Sequence, residues 1–236
     1  MRNSRSHFLH IATIFFILTV VVALCSWVGS IYELGNVQNL ISPEGLRWML
    51  RNAISQYIQT PALQYVLILL MGLGIAYESG LLQSLWKAVR YQKTRSMKER
   101  RALILSVIVI IIYTLLIFSI TVTPWTILRN VTGTLENSPF LQGLPYLISV
   151  GIGFAGMVFG FASGRFRTDR EIIRGMGSLI VRYYEYFIIL FFVVQFFTSL
   201  TYSRLTEWLH IGSVSLHFLF LACCYLPLLL IVLRKE

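Results

Sequence analysis

Few residues in this chain could do chemistry, and those few sit in or beside long apolar stretches. Glu78, Arg182, Glu185 and Gln195 are the clearest. A charged or amide side chain there is costly unless it is paired or used. In such a setting an arginine can hold a solute carboxylate, and a glutamate can take up a proton or a sodium ion. Arg182 and Glu185 are three residues apart, which on one helix face makes either a structural pair or a coupling site. Glu78 has a plainer reading too, as an interfacial acid paired with a basic residue of the loop that follows it. Gln195 is deeper and needs a partner inside the bundle. Ser79, beside Glu78, and Tyr202, at the end of the Gln195 stretch, complete the set of candidates for substrate or ion coupling.

Soluble-type catalysis has little to stand on. Cys25, Cys223 and Cys224 all fall in apolar segments, and adjacent cysteines do not readily bridge each other, so no disulfide framework follows. His7, His10, His210 and His217 are dispersed and form no metal-binding spacing. HExxH, P-loop and GxSxG patterns are absent, and the single aspartate, Asp169, stands in a basic loop. No enzyme activity, metal or cofactor is expected.

The elements that must position the polar residues are apolar helices. Six windows without a charged residue cover residues 8–32, 52–77, 102–123, 137–164, 186–203 and 208–233. Each is long enough to cross a hydrocarbon core about 30 Å thick at about 1.5 Å per residue. Of the 236 residues, 56% are hydrophobic and 13% charged, against roughly 25% charged in a soluble domain. The expected fold is therefore all-α and polytopic, a single membrane domain over residues 1–236. Its six transmembrane helices are expected at about 8–28, 62–82, 102–123, 144–163, 176–200 and 213–233. The first is too long for a signal-peptide core and reads as a retained helix.

Charge placement sets the orientation. With six crossings and a cytoplasmic N-terminus, 16 of the 20 basic residues fall on the inner side, leaving only Arg47, Arg51, Arg129 and Arg204 outside. This is the positive-inside pattern, and it places both termini in the cytoplasm of a cell inner membrane. The net charge of +10 belongs to that pattern and implies no nucleic-acid partner. The basic run 87–101 reads first as topology and second as a lipid head-group or regulatory site. The lipid bilayer is the partner these features demand.

Outside the spans, Ser42-Pro43-Glu44 is a helix start: a cap, a proline at the first turn and an acid near the positive dipole end. Leu46, Met49, Leu50, Ala53, Ile54, Tyr57 and Ile58 then recur at helical spacing, while Arg47, Arg51, Asn52 and Gln56 fall off that stripe. The spacing predicts an interfacial amphipathic helix at about 43–58, lying at the outer interface or packed against the bundle. Gly156, Gly160 and Gly164 are four apart and predict a packing groove down one helix face, with a ligand passage as the second use. Gly72 and Gly74 thin the second span in the same way, and Pro227 predicts a kink in the last one. Asn130-Val-Thr132 matches a glycosylation sequon, a pattern common by chance. No internal repeat is evident.

Two segments resemble the AbgT family of p-aminobenzoyl-glutamate transporters. The first holds Ser42, Glu44, Gly45, Leu46, Arg47 and Trp48, followed by Gly72, Leu73, Gly74, Ala76, Glu78, Gly80 and Leu81, with Tyr77 at the family's Ala-Glu junction. The second holds Ser138-Pro139, Gly156 and Gly160, Arg167-Thr168-Asp169, and Phe191-Phe192 leading to Gln195-Phe196. Together they cover about half of the chain. The resemblance implies secondary transport of p-aminobenzoyl-glutamate or a related aromatic-amide carboxylate, driven by a proton or sodium gradient. In that scheme Glu78 couples the ion and Arg182 holds the carboxylate, and the chain works as a homodimer or in a hetero-oligomer. The resemblance also implies two re-entrant hairpins, one with an Asp-Ala-Gly loop and one with a Ser-Ala-Lys-Trp stretch, in proteins about twice this length. Neither sequence is present, and Thr201-Tyr202-Ser203-Arg204-Leu205-Thr206 replaces the family's Asn-Trp-Ser-Asn-Leu-Gly. The alternative is thus a membrane scaffold or partner subunit that keeps the packing elements and does not transport. The two readings differ in whether Glu78, Arg182, Glu185 and Gln195 converge on one cavity or are paired locally.

Overall fold

A computed structural model of the chain describes residues 10–90, 96–122 and 138–235. His7, the centre of the basic run and the Asn130 sequon lie outside these residues. All described elements are helices: α1 (Ile11–Ile31), α2 (Pro43–Gln59), α3 (Pro61–Glu78), α4 (Leu81–Arg90), α5 (Met97–Val122), α6 (Pro139–Ser163), α7 (Asp169–Arg182), α8 (Tyr184–Tyr202), α9 (Leu205–Trp208) and α10 (Ser213–Lys235). Six of them, α1, α3, α5, α6, α8 and α10, are long and apolar enough to cross a membrane. The chain divides into two compact units. One comprises Met1–Gln64 and Tyr183–Glu236, the other Tyr65–Arg182.

In the first unit α8 is the centre, and one side of it is almost wholly buried. Helix α1 runs parallel to it: Phe15 meets Phe196 and Phe16 meets Phe192 edge-on at 5.7 and 5.8 Å, and further along Val22 packs with Leu200 and Leu205. Helix α10 adds Phe220 against Phe197 at 5.3 Å. Helix α2 starts as its sequence demands: the Ser42 hydroxyl accepts from the Gly45 N–H at 3.1 Å, with Pro43 at the first position. It then runs antiparallel along α8. Trp48 stacks on Tyr202, Gln195 donates to the Ala53 carbonyl at 2.9 Å, and the Tyr57 hydroxyl donates to the Phe187 carbonyl at 2.9 Å. The apolar stripe of α2 is divided by this arrangement. Trp48, Met49, Ala53 and Tyr57 are half-buried, whereas Leu46, Leu50, Ile54 and Ile58 are exposed.

In the second unit α6 is central. Helix α5 runs antiparallel to it, the Tyr113 hydroxyl donating to the Leu147 carbonyl at 2.9 Å, and the Tyr113 ring lying against Gly151. Helix α3 runs parallel to α6. The Ser149 hydroxyl donates to the Ile68 carbonyl at 2.5 Å, and a Cβ placed on Gly156 would stand 2.9 Å from the Ala76 backbone nitrogen. Gly72 is similarly pressed on Ser149, and Gly74 on the backbone of Gly175 in α7. The missing side chains let these helices touch through their backbones. Ala76, Leu81, Ala102, Ala155 and Phe159 form one cluster of its core.

Three helices differ from the sequence expectation. The span expected at 62–82 stops at Glu78, because Gly80 adopts a left-handed φ of 77° and turns the chain into α4. The helix expected at 176–200 is two helices, since Tyr183 leaves helical geometry (φ −111°, ψ 25°) between α7 and α8. The segment before it, read as a basic loop, forms the first turns of α7. There Glu171 reaches back to accept from the Arg167 and Thr168 N–H groups at 2.5 and 3.2 Å. That is the glutamate half of the capping box at a Thr-x-x-Glu start.

Candidate functional site

The sequence-selected residues fall in both units. Glu78, Ser79 and Arg182 belong to the second. Glu78 closes α3 and is exposed, its Cβ beside Gly175. Ser79 is fully buried. Its hydroxyl donates to the Ala76 carbonyl at 3.1 Å and accepts from the Leu81 N–H at 3.4 Å, so it holds the turn between α3 and α4. The Arg182 guanidinium donates to the Tyr77 hydroxyl at 2.6 Å and stands 5.4 Å from the centre of that ring. With Ser178 donating to the Gly74 carbonyl at 3.4 Å, these contacts fasten α7 to the end of α3.

The end of α6 lies beside the end of α3. Gly164 takes a left-handed φ of 79° and caps α6. It therefore ends the helix and does not prolong the glycine groove, in which Gly156 meets Ala76 and Gly160 meets the Phe166 ring. The next residue, Arg165, packs its guanidinium over the Gly80 backbone. A cation there also complements the negative dipole end of α3. Nothing in the sequence reading had singled out Arg165.

Glu185, Gln195 and Tyr202 belong to the first unit. Glu185 is half-buried in the first turn of α8. The break at Tyr183 leaves Arg182 as the last residue of α7 and Glu185 in the first turn of α8. Gln195 is buried and engaged by the Ala53 carbonyl. Tyr202, the last residue of α8, stacks on Trp48 with ring centres 4.1 Å apart and 26° between planes.

That stack forms one wall of a cavity of about 380 Å³ between α2, α8 and α10. Leu216, Phe197 and Phe220 supply the apolar lining, and Gln56, Thr198, Ser213 and His217 the polar side chains. The cavity is thus lined by flat aromatic surface together with amide, hydroxyl and imidazole groups. It falls within the roughly 300–1,000 Å³ usual for small-molecule sites, which are mostly apolar with a few convergent polar groups. Of the sequence candidates only Tyr202 lines it. Trp48 was quoted for its place in a motif and Gln56 for lying off a stripe, and both face the cavity because α2 stands along α8.

The AbgT putative transporter family is matched over residues 6–99 and again over 87–234. The two matches meet in the basic segment between α4 and α5. No curated protein matches the chain by sequence. Solved structures that share its fold include two transporters. Neisseria gonorrhoeae MtrF, described among a class of antimetabolite efflux pumps, has a TM-score of 0.77 and 16% identity over 89% of this chain and 74% of its own. The Alcanivorax borkumensis YdaH transporter, described as having an unusual topology, has a TM-score of 0.76 and 17% identity over 94% of this chain and 83% of its own. The family and both neighbours are transporters, not enzymes. With two family matches that together span nearly all of a multi-pass helical membrane protein, the chain belongs to the AbgT transporter family.

Proposed function

We propose that the chain is a secondary transporter of an aromatic-amide carboxylate such as p-aminobenzoyl-glutamate. It works in the cell inner membrane, with both termini cytoplasmic, as a homodimer or within a hetero-oligomer. The observation that carries this reading is the cavity of the first unit. Its Trp48–Tyr202 wall suits a planar ring, Gln56 suits an amide, and Ser213, Thr198 and His217 suit a carboxylate. Aromatic stacking of this kind contributes about 0.5–1.5 kcal/mol beyond the area it buries.

Coupling is assigned to the opposite chemistry. Glu78 is the proton or sodium group, with Ser79 holding its turn and Arg182 of the same unit as the charge that biases it; Glu185 is a further coupling candidate at the start of α8. A proton or sodium ion is the driving species. The orientation rests on the positive-inside distribution.

A second reading is favoured by a specific observation. Ser79, Arg182 and Gln195 are each engaged by a neighbour within their own unit, as expected of a scaffold or partner subunit. Uptake of labelled p-aminobenzoyl-glutamate into proteoliposomes separates the two. Gradient-dependent uptake that Glu78→Gln abolishes supports transport. No uptake by a folded, monodisperse preparation supports the scaffold.

A further inference from the structure

Two helices of the second unit carry an exposed apolar face bordered by cations. Helix α7 turns Gly175 and Leu179 inward and leaves Arg170, Ile173, Arg174 and Val181 exposed along one stripe. Ile173 is 67% exposed and Val181 73%. Two large aliphatic groups flanked by two arginines do not make a water-facing surface. Helix α4 repeats the pattern: Leu81 and Ser84 are buried, while Leu82, Leu85 and Trp86 are exposed next to Lys87.

Both helices are held at the end of a membrane-crossing one. Helix α4 follows α3 across Ser79-Gly80, and α7 follows α6 across residues 164–168. At about 3.3–3.6 Å per extended residue, neither can move far from the end of its span. The two spans run parallel, and Arg165 packs on Gly80, so α4 and α7 leave from the same end of the unit. That end is rich in cations, with Arg165, Arg167, Arg170 and Arg174 all exposed on or before α7. An amphipathic helix with arginines bordering its apolar face lies in a membrane interface and is drawn to anionic lipids. Tryptophan belongs at the same depth.

We infer that α4 and α7 form a platform seated in the head-group layer, which binds anionic phospholipid through Arg170 and Arg174 with Ile173, Val181 and Trp86 set among the acyl chains. The platform does not depend on transport: it would serve a scaffold equally.

The test is native mass spectrometry of the full purified chain with phosphatidylglycerol or phosphatidylcholine added in turn. The platform predicts that phosphatidylglycerol is retained in preference. It predicts that Arg170→Gln with Arg174→Gln lowers that preference roughly fivefold per arginine removed, the factor equivalent to about 1 kcal/mol near a membrane surface, with phosphatidylcholine retention unchanged. Equal retention of the two lipids, or a preference that the double substitution leaves intact, overturns it. Light scattering of Ile173→Asp adds an independent arm. An unchanged oligomeric mass is expected, whereas dissociation would assign the face to a second copy and contradict the proposal.

Discussion

Trp48 and Tyr202 stack with ring centres 4.1 Å apart, joining the second turn of α2 to the last residue of α8. The contact fixes α2 near its N-terminal end as the Tyr57–Phe187 hydrogen bond fixes it near its C-terminal one. An amphipathic helix is thereby held upright along a membrane-crossing one, and a cavity opens between them and α10.

If the stack takes the substrate ring, Trp48→Ala should weaken binding of p-aminobenzoyl-glutamate about tenfold, the upper end of the energy of an aromatic pair. Trp48→Phe should recover most of it. Isothermal titration on the purified chain measures both, and equal affinities in all three proteins would remove the ring site.

Gln195 is assigned a structural role, so Gln195→Leu should lower stability by about 1 kcal/mol, the net contribution of one hydrogen bond, and leave substrate affinity unchanged. Thermal unfolding and titration on the same preparation separate the two effects. A loss of affinity with stability intact would return Gln195 to the site.

The seam between α3 and α6 should tolerate no added carbon. In Gly156→Ala the new Cβ would meet backbone atoms of Ala76 at 2.9–3.0 Å, and a backbone cannot swing aside as a side chain can. A destabilisation of about 1–3 kcal/mol follows. Gly177→Ala, at a helical position with nothing within 4 Å, should raise stability slightly, since alanine costs less entropy in a helix. Denaturant titration compares them.

The start of α7 should respond to acid. Backbone N–H groups of Arg167 and Thr168 hold the Glu171 carboxyl below its ordinary range. A depressed carboxyl stabilises the fold above its unfolded pKa of about 4.3, and that contribution disappears as pH falls through the lower, folded value. Wild type should therefore exceed Glu171→Gln in melting temperature at pH 7, and the gap should close below about pH 4. A gap independent of pH would mean the charge plays no part.

The spans were legible because charge is kept to their ends: each of the six uncharged windows covers most of one of the six helices. The start of α2 was legible from Ser42-Pro43-Glu44, whose chemistry admits little else. The break after Glu78 was not read, although Ser79-Gly80 marks it, because the apolar run continues through Leu81 and Leu82. The start of α7 was hidden by its charges, yet Thr168-Asp-Arg-Glu171 carries a capping signal that outweighs them. Tyr183 breaks the next helix with no glycine or proline to announce it. The stripe of α2 exposes a deeper limit. Lipid-facing and protein-facing residues are both apolar in a membrane, so periodicity alone could not say that Tyr57 turns to α8 and Ile54 away from it. For the same reason the cavity behind Trp48 had no signature in the sequence.

Transport by this chain requires that it alone move its solute through the cavity of the first unit. The direct measurement is uptake of labelled p-aminobenzoyl-glutamate by proteoliposomes containing only the purified chain, under imposed proton and sodium gradients, with Trp48→Ala and Glu78→Gln alongside. The predicted result is gradient-dependent uptake that Trp48→Ala makes require higher solute concentration and Glu78→Gln uncouples from the gradient. Folded protein that takes up nothing under either gradient would contradict the account.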